Sequence, residues 1–284
     1  MKETLYDALY DKYPQNGLIG VKWEEATNTD FEWESISKAN LAKFADYLCS
    51  TMAKNSARQY CAKLKAVMEL HSDTHDFPTG WRKLLSIKDD ESQQIYLTED
   101  EIKRLIVYHP RTETEAIVLQ QFILGCLTGA RHSDYSRFTT ANVQSATTLV
   151  YVSQKTHIKA ELPLSPIAKG ILFGGVGDFV GAYKKKVSDH TFNDTIRDIC
   201  KRSDITQEIQ LYRHGKFWIG EKYKAVSSHT SRRSFCTNLY LRCRDLYLVS
   251  KLAGHSDTKM TERYICCATE ALTQQALDYF NEFS

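Results

Sequence analysis

The chain has 284 residues, of which 42% are hydrophobic and 25% are charged, and its formal net charge is +2. This composition is ordinary for a globular protein and excludes a chain dominated by disorder, and the length favours two domains over one. The longest apolar stretches, such as Ile117–Leu127, are too short and interrupted to span a bilayer, and the N-terminus lacks the features of a signal peptide. We therefore expect a protein of the cell interior, without a membrane partner.

The charged residues are unevenly distributed within the first 65 positions. Residues 1–34 carry eight acidic side chains against three lysines, whereas residues 37–65 carry six basic side chains against Asp46 alone. A local basic patch in a nearly neutral chain suits a phosphate backbone, and a solvated helix face is the equally weighted alternative. The candidate DNA-binding residues of this patch are Lys38, Lys43, Lys54, Arg58, Lys63 and Lys65.

Residues 1–94 are predicted to form a helical domain. Residues 37–70 contain two runs of apolar side chains at helical spacing, each preceded by residues that can cap a helix. The stretch Trp81–Gln94 is polar, ends in DDESQQ and is the best candidate for a linker. A new helix is predicted after it, since Thr98 and the glutamate three positions later have the spacing of a capping box. We therefore place a second domain over residues 95–284.

The second domain is predicted to be mainly α-helical with a small β-sheet, an α+β fold. Strand-like runs over Thr148–Val152 and Ala160–Leu164 flank the polar segment QKTHIK and predict a hairpin. Helical patterning covers the other segments, namely Glu99–Tyr108, Glu113–Thr128, Phe192–Cys200, Ser231–Arg242, Leu246–Ala253 and Thr269–Phe283.

Four short motifs in this domain carry groups that suit phosphate chemistry. Arg131 ends the first, TGAR, where a tight glycine turn can aim a guanidinium group, and Asp134 follows it. Lys155 stands in the predicted hairpin, 24 residues after Arg131. Taken singly, an arginine after a turn is most often a surface cation, and a lysine in a hairpin turn is usually just solvated.

The other two motifs lie nearer the C-terminus. In HTSR, a helical conformation would put His229 and Arg232 on one face, and a serine before them would cap the helix, whose N-terminus favours an anion. In LAGH, the glycine is typical of a helix end, His255 follows it, and Tyr264 comes nine residues later. Taken singly, such matches occur by chance, and a packed histidine or an ordinary tyrosine is the simpler interpretation.

The order and spacing of the four motifs resemble the tyrosine recombinase (phage integrase) family, whose catalytic set is Arg, Lys, His, Arg, His and Tyr. The resemblance covers the chain from about Tyr96 to Tyr279, and it implies a helical SAM-like core-binding domain in residues 1–94 that clamps DNA together with the catalytic domain. The implied catalytic residues are Arg131, Lys155, His229, Arg232, His255 and Tyr264, with Asp134 in a supporting role.

Two longer segments refine the resemblance. The runs SSHTSRRSFCTNLY and LAGHSDTKMTERYI look most like integrases of mobile elements in the Bacteroides group. Departures from the family pattern are small, since Asp134 stands where many members have Glu and Arg233 stands where many have His. No position of the six-residue set is lost, so we expect an active enzyme.

These residue types suit the cleavage of a phosphodiester. The planar guanidinium groups of Arg131 and Arg232 can neutralise the non-bridging oxygens and stabilise the transition state. Tyr264 offers a phenol with an ordinary pKa of about 10, which needs help to attack at neutral pH. His229 is the candidate to assist that step, and His255 is expected to bond the phosphate or orient Tyr264.

The resemblance implies that Lys155 protonates the departing 5′ oxygen, and Asp134 is expected to hold Arg131 or His229 in place. The product would be a 3′-phosphotyrosine and a free 5′-hydroxyl. Because the phosphodiester bond is exchanged for a phosphotyrosine bond of similar energy, no ATP is required. No carboxylate cluster suggests a two-metal site, and no cysteine pair has metal-binding spacing. We therefore expect no metal and no cofactor, and catalysis in EDTA.

The family resemblance also implies partners. Relatives act as a tetramer around two DNA duplexes and pass through a Holliday junction, so we expect a homotetramer on double-stranded recombination sites, with an accessory DNA-bending protein as a further candidate. The apolar-faced segment Glu270–Phe283 is expected to dock on a neighbouring protomer, with packing on its own domain as the alternative. We expect the enzyme in the cytoplasm, encoded by a bacterium or a phage.

Two other functions stay open from the sequence. A type IB topoisomerase shares the chemistry but rejoins the same strand, and the apolar segment after Tyr264 and the compact N-terminal domain favour the recombinase. A DNA-binding regulator would need no chemistry, and the intact six-residue set argues against it.

Overall fold

The computed structural model describes residues 3–15, 17–88, 92–174, 179, 181–213, 216–255, 257–265 and 281. The chain divides into two compact units, of which the first comprises Met1–Ser92 with Tyr212–Phe217 and the second comprises Gln93–Leu211 with Trp218–Ser284. Both contain helices, and the described strands form small antiparallel sheets. The predicted fold class, mainly α with a small β component, is confirmed.

The first unit is a group of helices around an aromatic core. Its helices are α1 (Leu5–Lys12), α2 (Leu18–Thr27), α3 (Lys38–Thr51), α4 (Lys54–Leu70) and α5 (Trp81–Leu84). Helix α3 packs against α2, α4 and α5. Ser37 caps α3 by accepting a hydrogen bond from the Asn40 N–H. The fully buried Trp23 contacts the fully buried rings of Phe31 and Phe44 in the core of the unit.

Two polar or acidic segments of the first unit contribute to its core, although their composition suggests exposed chain. The acidic residues 1–34 include α1 and α2, which bury apolar side chains in the core of the unit. The linker predicted from Trp81 begins later, because Trp81 and Leu85 are 5% and 2% exposed and belong to the same core. The presence of a tryptophan and a leucine in this polar stretch therefore indicated that its first part packs against the domain.

The second unit contains eight described α-helices and three whole strands, and the greater part of each of two further strands, whose adjoining ends are in the first unit. The helices are α6 (Glu99–Ile106), α7 (Glu113–Thr128), α8 (His132–Tyr135), α9 (Pro166–Phe173), α10 (Asp189–Arg202), α11 (Ser228–Cys243), α12 (Leu246–Ala253) and α13 (Thr258–Glu262). The strands are β1 (Val143–Ser145), β2 (Thr148–Val152), β3 (Lys159–Pro163), β4 (Glu208–Arg213) and β5 (Lys216–Glu221). The capping box predicted at Thr98 and Glu101 is present at the start of α6.

The strands form two small sheets. Strands β1, β2 and β3 follow one another as an antiparallel sheet, and β4 pairs with β5 in a separate two-stranded sheet. In the first sheet Leu149 pairs with Leu162 and Tyr151 with Ala160, so that these four side chains face the core. The turn between β2 and β3 carries Lys155, which the sequence predicted to lie in this hairpin.

Helix α7 runs through the core of the second unit. Its predicted bounds are those observed, but the helix is buried on all sides rather than amphipathic. Its buried Gln120 and Gln121 are satisfied by loop residues, since the Gln121 Nε2 donates to the carbonyl oxygens of Tyr183 and Lys185 at 2.7 and 2.8 Å. Helices α10 and α11 pack against α7. These contacts hold the C-terminal end of α7 in place, and the first residues of the candidate site follow directly after it.

Among the residues that the structure describes, no helix has the length and apolar character needed to cross a membrane. The predicted C-terminal helix and its docking segment Glu270–Phe283 lie outside the described residues, apart from Asn281.

Candidate active site

The turn at the end of α7 positions Arg131. Gly129 ends the helix with a φ of 65°, and its N–H donates to the Gly125 carbonyl oxygen at 2.9 Å. A Cβ at this position would overlap the ring of Phe235, so both the left-handed backbone and the close approach require glycine. The chain then reverses, and Arg131 becomes the N-terminal flanking residue of the short helix α8.

Arg131 is connected to the β2–β3 hairpin through a serine. The half-buried Arg131 donates from Nη1 to Ser153 Oγ at 3.0 Å, and Ser153 Oγ donates to Asp134 Oδ2 at 3.1 Å. The other oxygen of Asp134 accepts from the Gln154 N–H at 2.9 Å. Asp134, which is 4% exposed, is therefore linked to Arg131 by hydrogen bonds through the Ser153 hydroxyl.

Lys155 lies on the turn that follows these contacts. It is exposed and stands between β2 and β3. The turn is closed by two backbone hydrogen bonds, from the Ser153 N–H to Ile158 O at 3.0 Å and from the His157 N–H to Ser153 O at 2.8 Å. His157 has a φ of 54°, which completes the reversal.

Helix α11 carries His229 and Arg232 near its N-terminus. Ser227 caps the helix in a capping box with Thr230, as one of the two expected serines. His229 is exposed in the first turn, whereas Arg232 is 1% exposed. Partial desolvation of the imidazole lowers the pKa of His229, and the nearby cations of Arg233 and Arg232 lower it further. A lowered pKa favours the neutral imidazole, the form that can accept a proton.

Arg232 is a buried cation. Its Nη1 donates to the carbonyl oxygen of Gly129, while its Nε and Nη2 are buried and have no hydrogen-bond partner among the described residues. Burial is the main cause that lowers the pKa of Arg232. Because a buried donor without an acceptor is costly, this arrangement points to an anion that binds at the two nitrogens.

His255 adds a third buried nitrogen of the same kind. It follows Gly254, which ends α12 with a φ of 64° as predicted, and its Nδ1 lies 2.9 Å from Thr261 Oγ1. Its Nε2 is buried without a partner among the described residues. Burial first, and then the charges of Arg232 and Arg131, lower the pKa of His255 to about 3. The ring is therefore neutral at pH 7, and its Nε2 carries a hydrogen when Thr261 donates to Nδ1.

Tyr264 lies beside these groups. It follows α13, and its N–H donates to the Thr261 carbonyl oxygen at 2.8 Å. Its ring stacks on His255 with centroids 4.9 Å apart and an interplanar angle of 28°. The Arg232 Cζ is 5.0 Å from the centroid of the Tyr264 ring. The helix turn of α13 thus brings the candidate nucleophile next to the buried arginine.

The structure brings most of the predicted residues to one place. Arg232, His255 and Tyr264 are in contact, and Arg131 acts electrostatically on Arg232 and His255. His229 stands one helical turn before Arg232, and Lys155 stays on its exposed turn. The group can bind and polarise an anion next to a phenol, which is the arrangement that transfer of a phosphoryl group to tyrosine needs.

Sequence reasoning missed Ser153 and Thr261, which hold Arg131 and His255 in place. Neither residue has a spacing or composition signal, because each acts across a turn or between elements. Among the described residues, no group of three or more His, Cys, Asp or Glu side chains is arranged to hold a metal ion.

The six candidate DNA-binding residues lie on the two central helices of the first unit. Lys38 and Lys43 are exposed on α3, Arg58 is exposed on α4, and the remaining three are half-buried on α4. Lys65 donates from Nζ to Ser86 Oγ at 3.1 Å, and the Lys63 Nζ lies 5.8 Å from the centroid of the Tyr13 ring.

Comparison with known proteins identifies the family of the chain. The model of the phage integrase family matches residues 95–270, which is more than half of the chain. The tyrosine recombinase XerD of Staphylococcus saprophyticus is 25% identical over 261 residues, which cover 87% of this chain and 77% of XerD. The closer likeness to Bacteroides-group integrases stays a prediction.

Solved structures show the same fold. The Tn1549 transposon integrase in complex with a circular intermediate DNA has a TM-score of 0.66 at 12% identity and covers 98% of this chain and 100% of that chain. A lambda integrase tetramer bound to a Holliday junction has a TM-score of 0.61 at 17% identity and covers 90% of this chain and 78% of that chain. The chain belongs to the phage integrase family, the tyrosine recombinases that break and rejoin DNA strands.

Proposed function

We propose that this enzyme is a site-specific recombinase that cleaves DNA by attack of the Tyr264 hydroxyl on a scissile phosphate. The attack forms a 3′-phosphotyrosine and releases a 5′-hydroxyl, and a 5′-hydroxyl from a second strand reverses the step. The observation that carries this proposal is a set of three buried nitrogens on Arg232 and His255, beside the Tyr264 ring, that have no hydrogen-bond partner in the described part of the chain.

A phosphodiester would satisfy these three nitrogens together. Each buried and unsatisfied donor costs about 1–3 kcal/mol, and more when it is charged. The Nε and Nη2 of Arg232 form a planar fork that matches two phosphate oxygens, and the Nε2 of the neutral His255 can donate to one of them. These donors are fixed before the substrate arrives, so they stabilise the charge that grows in the transition state.

The remaining residues take the roles that their positions allow. Arg131, oriented through Ser153, supplies the second guanidinium group to the phosphate. His229 is exposed and favours its neutral form, so it can assist removal of the proton from Tyr264. Lys155 is on an exposed turn, from which its ammonium group can protonate the departing 5′ oxygen.

DNA contacts outside the site are proposed for α3 and α4. On α4, the spacings of four and seven residues place Lys54, Arg58 and Lys65 on one flank of the helix, while Lys63 lies on the opposite flank. The first three therefore form a row that can follow a phosphate backbone. Lys38 and Lys43 of α3 are candidates for further contacts.

Assembly is proposed from the family and from its solved members. A tetramer of this chain on two duplex recombination sites would exchange strands through a Holliday junction, in keeping with the lambda integrase tetramer. Docking of Glu270–Phe283 on a neighbouring protomer and participation of an accessory DNA-bending protein belong to the same proposal. The reaction would take place on DNA inside the host cell.

A nicked suicide substrate tests the nucleophile. The nick lets the strand with the free 5′-hydroxyl diffuse away, so a covalent complex accumulates with the wild-type enzyme. Tyr264→Phe should give none, whereas Tyr247→Phe is a matched control because Tyr247 is 64% exposed on α12. A covalent complex with the Tyr264→Phe variant would show that another residue is the nucleophile. Exchange between paired sites, compared with relaxation of a supercoiled plasmid, separates recombination from topoisomerase activity.

A further inference from the structure

We propose that Ser153 is a positioning residue that couples the orientation of Arg131 to the turn that carries Lys155. The inference rests on the proposed function, because it assumes that both cations act on one phosphate. It assigns to a single residue the task of holding the charge-stabilising arginine and the proton-donating lysine in fixed positions relative to each other.

The Ser153 hydroxyl has the two hydrogen bonds that this role needs. It accepts from Arg131 Nη1 at 3.0 Å and donates to Asp134 Oδ2 at 3.1 Å. A hydroxyl has one hydrogen to donate, so donation to the carboxylate leaves its lone pairs to face the guanidinium group. The direction of both bonds is therefore determined by the charges on either side.

Asp134 holds the hydroxyl in this orientation. Its Oδ1 accepts from the backbone N–H of Gln154 at 2.9 Å, so both carboxylate oxygens are engaged on consecutive residues of the hairpin. Asp134 and Ser153 are 4% and 2% exposed, so water does not compete effectively for these bonds. The carboxylate thus attaches helix α8 to the end of strand β2.

The backbone of Ser153 also shapes the lysine turn. Its N–H donates to Ile158 O at 3.0 Å, and its carbonyl oxygen accepts from the His157 N–H at 2.8 Å. The last two residues of the five-residue segment that follows are therefore hydrogen-bonded to Ser153, and Lys155 lies within this closed turn. A shift of Ser153 would move Arg131 through the side chain and Lys155 through the backbone.

Three variants separate positioning from stability. Ser153→Ala removes both side-chain bonds, and Ser153→Thr keeps the hydroxyl. Ser234→Ala is the matched control, because Ser234 is fully buried and its hydroxyl also makes one accepted and one donated bond, with the Leu97 N–H and the Thr230 carbonyl oxygen. We expect similar losses of thermal stability in the two alanine variants, since each loses two buried hydrogen bonds.

The first readout is the single-turnover rate of covalent complex formation on ordinary DNA. We expect Ser153→Ala to be slower by about 100-fold, because a shift of about 1 Å in a reacting group costs that much. Ser153→Thr and Ser234→Ala should stay within a few-fold of wild type. A wild-type rate for Ser153→Ala, or an equal loss in Ser234→Ala, would overturn the proposal.

The second readout tests the link to Lys155. A DNA with sulfur in place of the bridging 5′ oxygen has a leaving group that needs no proton, so it bypasses the general acid. The defect of Lys155→Ala should disappear on this substrate, and the defect of Ser153→Ala should shrink to the part that comes from Arg131. An undiminished defect of Ser153→Ala on the sulfur substrate would overturn the coupling.

Tyr264→Phe is included to separate the two proposals. If it traps no DNA while Ser153→Ala reacts normally, the positioning role of Ser153 is wrong and the proposed function stands. If Tyr264→Phe still traps DNA, the proposed function itself is wrong.

Discussion

Replacement of Arg232 by methionine should stabilise the DNA-free protein while it abolishes cleavage. Arg232 is 1% exposed, and two of its nitrogens have no hydrogen-bond partner among the described residues. Such a cation destabilises the free protein because it has lost its hydration without a full replacement. Methionine has a similar length and no polar hydrogen.

The size of the effect follows from the contacts of Arg232. Relief of two unsatisfied donors contributes about 2–6 kcal/mol at about 1–3 kcal/mol each. The lost hydrogen bond to Gly129 O offsets about 1.5–3 kcal/mol of this, and loss of the contact with the Tyr264 ring offsets about 0.5–1 kcal/mol more. The midpoints of these ranges give a net gain of about 1 kcal/mol, and each kcal/mol raises the Tm of a unit of this size by about 2–4 °C.

Thermal unfolding of the two proteins, with and without sulfate, is the assay. Sulfate stabilises folded proteins in general, so the two proteins are compared by the rise in Tm that sulfate causes in each. We expect this rise to be larger for the wild type than for Arg232→Met, because only the wild type keeps the buried arginine that can bind the anion. Cleavage of the suicide substrate should fall by at least about 100-fold in the variant, as on removal of an oxyanion-hole donor. A variant that unfolds at a lower Tm than wild type without sulfate, or gains as much from sulfate as wild type, would refute the reasoning.

Further outcomes follow from the same geometry. The pKa of His255 is lowered to about 3 from its ordinary value of 6.5, so the unfolded chain binds more protons between these limits and stability should fall as the pH drops from about 6.5 to 3. Denaturant titrations should show this slope reduced in His255→Gln, and an unchanged slope would contradict the shift. Cleavage should proceed in EDTA at the rate seen with Mg²⁺, and its loss on chelation would contradict charge stabilisation by arginines. Alanine at Lys54, Arg58 or Lys65 should each reduce the slope of log K against log salt for duplex DNA by about 0.9, while alanine at Lys22, which pairs with Glu25, should not.

Local chemical patterns in the sequence were sufficient for several elements of the fold. The capping box at Thr98, the strand Thr148–Val152 and the left-handed Gly254 were predicted from neighbours within a few residues, and the structure has them as expected. Each of these depends on hydrogen bonds or steric limits within one element. The order of the catalytic motifs was visible for the same reason, since every motif is short.

Features that leave no local pattern, or that depend on distant neighbours, could not be predicted. The hairpin of β4 and β5 was missed because its described strands bury only Leu211, which leaves no apolar alternation. The full burial of α7 was missed because Gln120 and Gln121 look solvated until the loop that satisfies them is known. The partners of Arg131 and His255 were missed for the same reason, since Ser153 and Thr261 approach them only after folding.

We expect the buried nitrogens of Arg232 and His255 to bind the phosphate that Tyr264 attacks. A crystal structure of the Tyr264→Phe variant on an uncleaved DNA site tests it directly. We expect one phosphate within about 3 Å of Arg232 Nε, Arg232 Nη2 and His255 Nε2, and beside the ring of residue 264. A scissile phosphate held elsewhere, with these three nitrogens still without an acceptor, would contradict it.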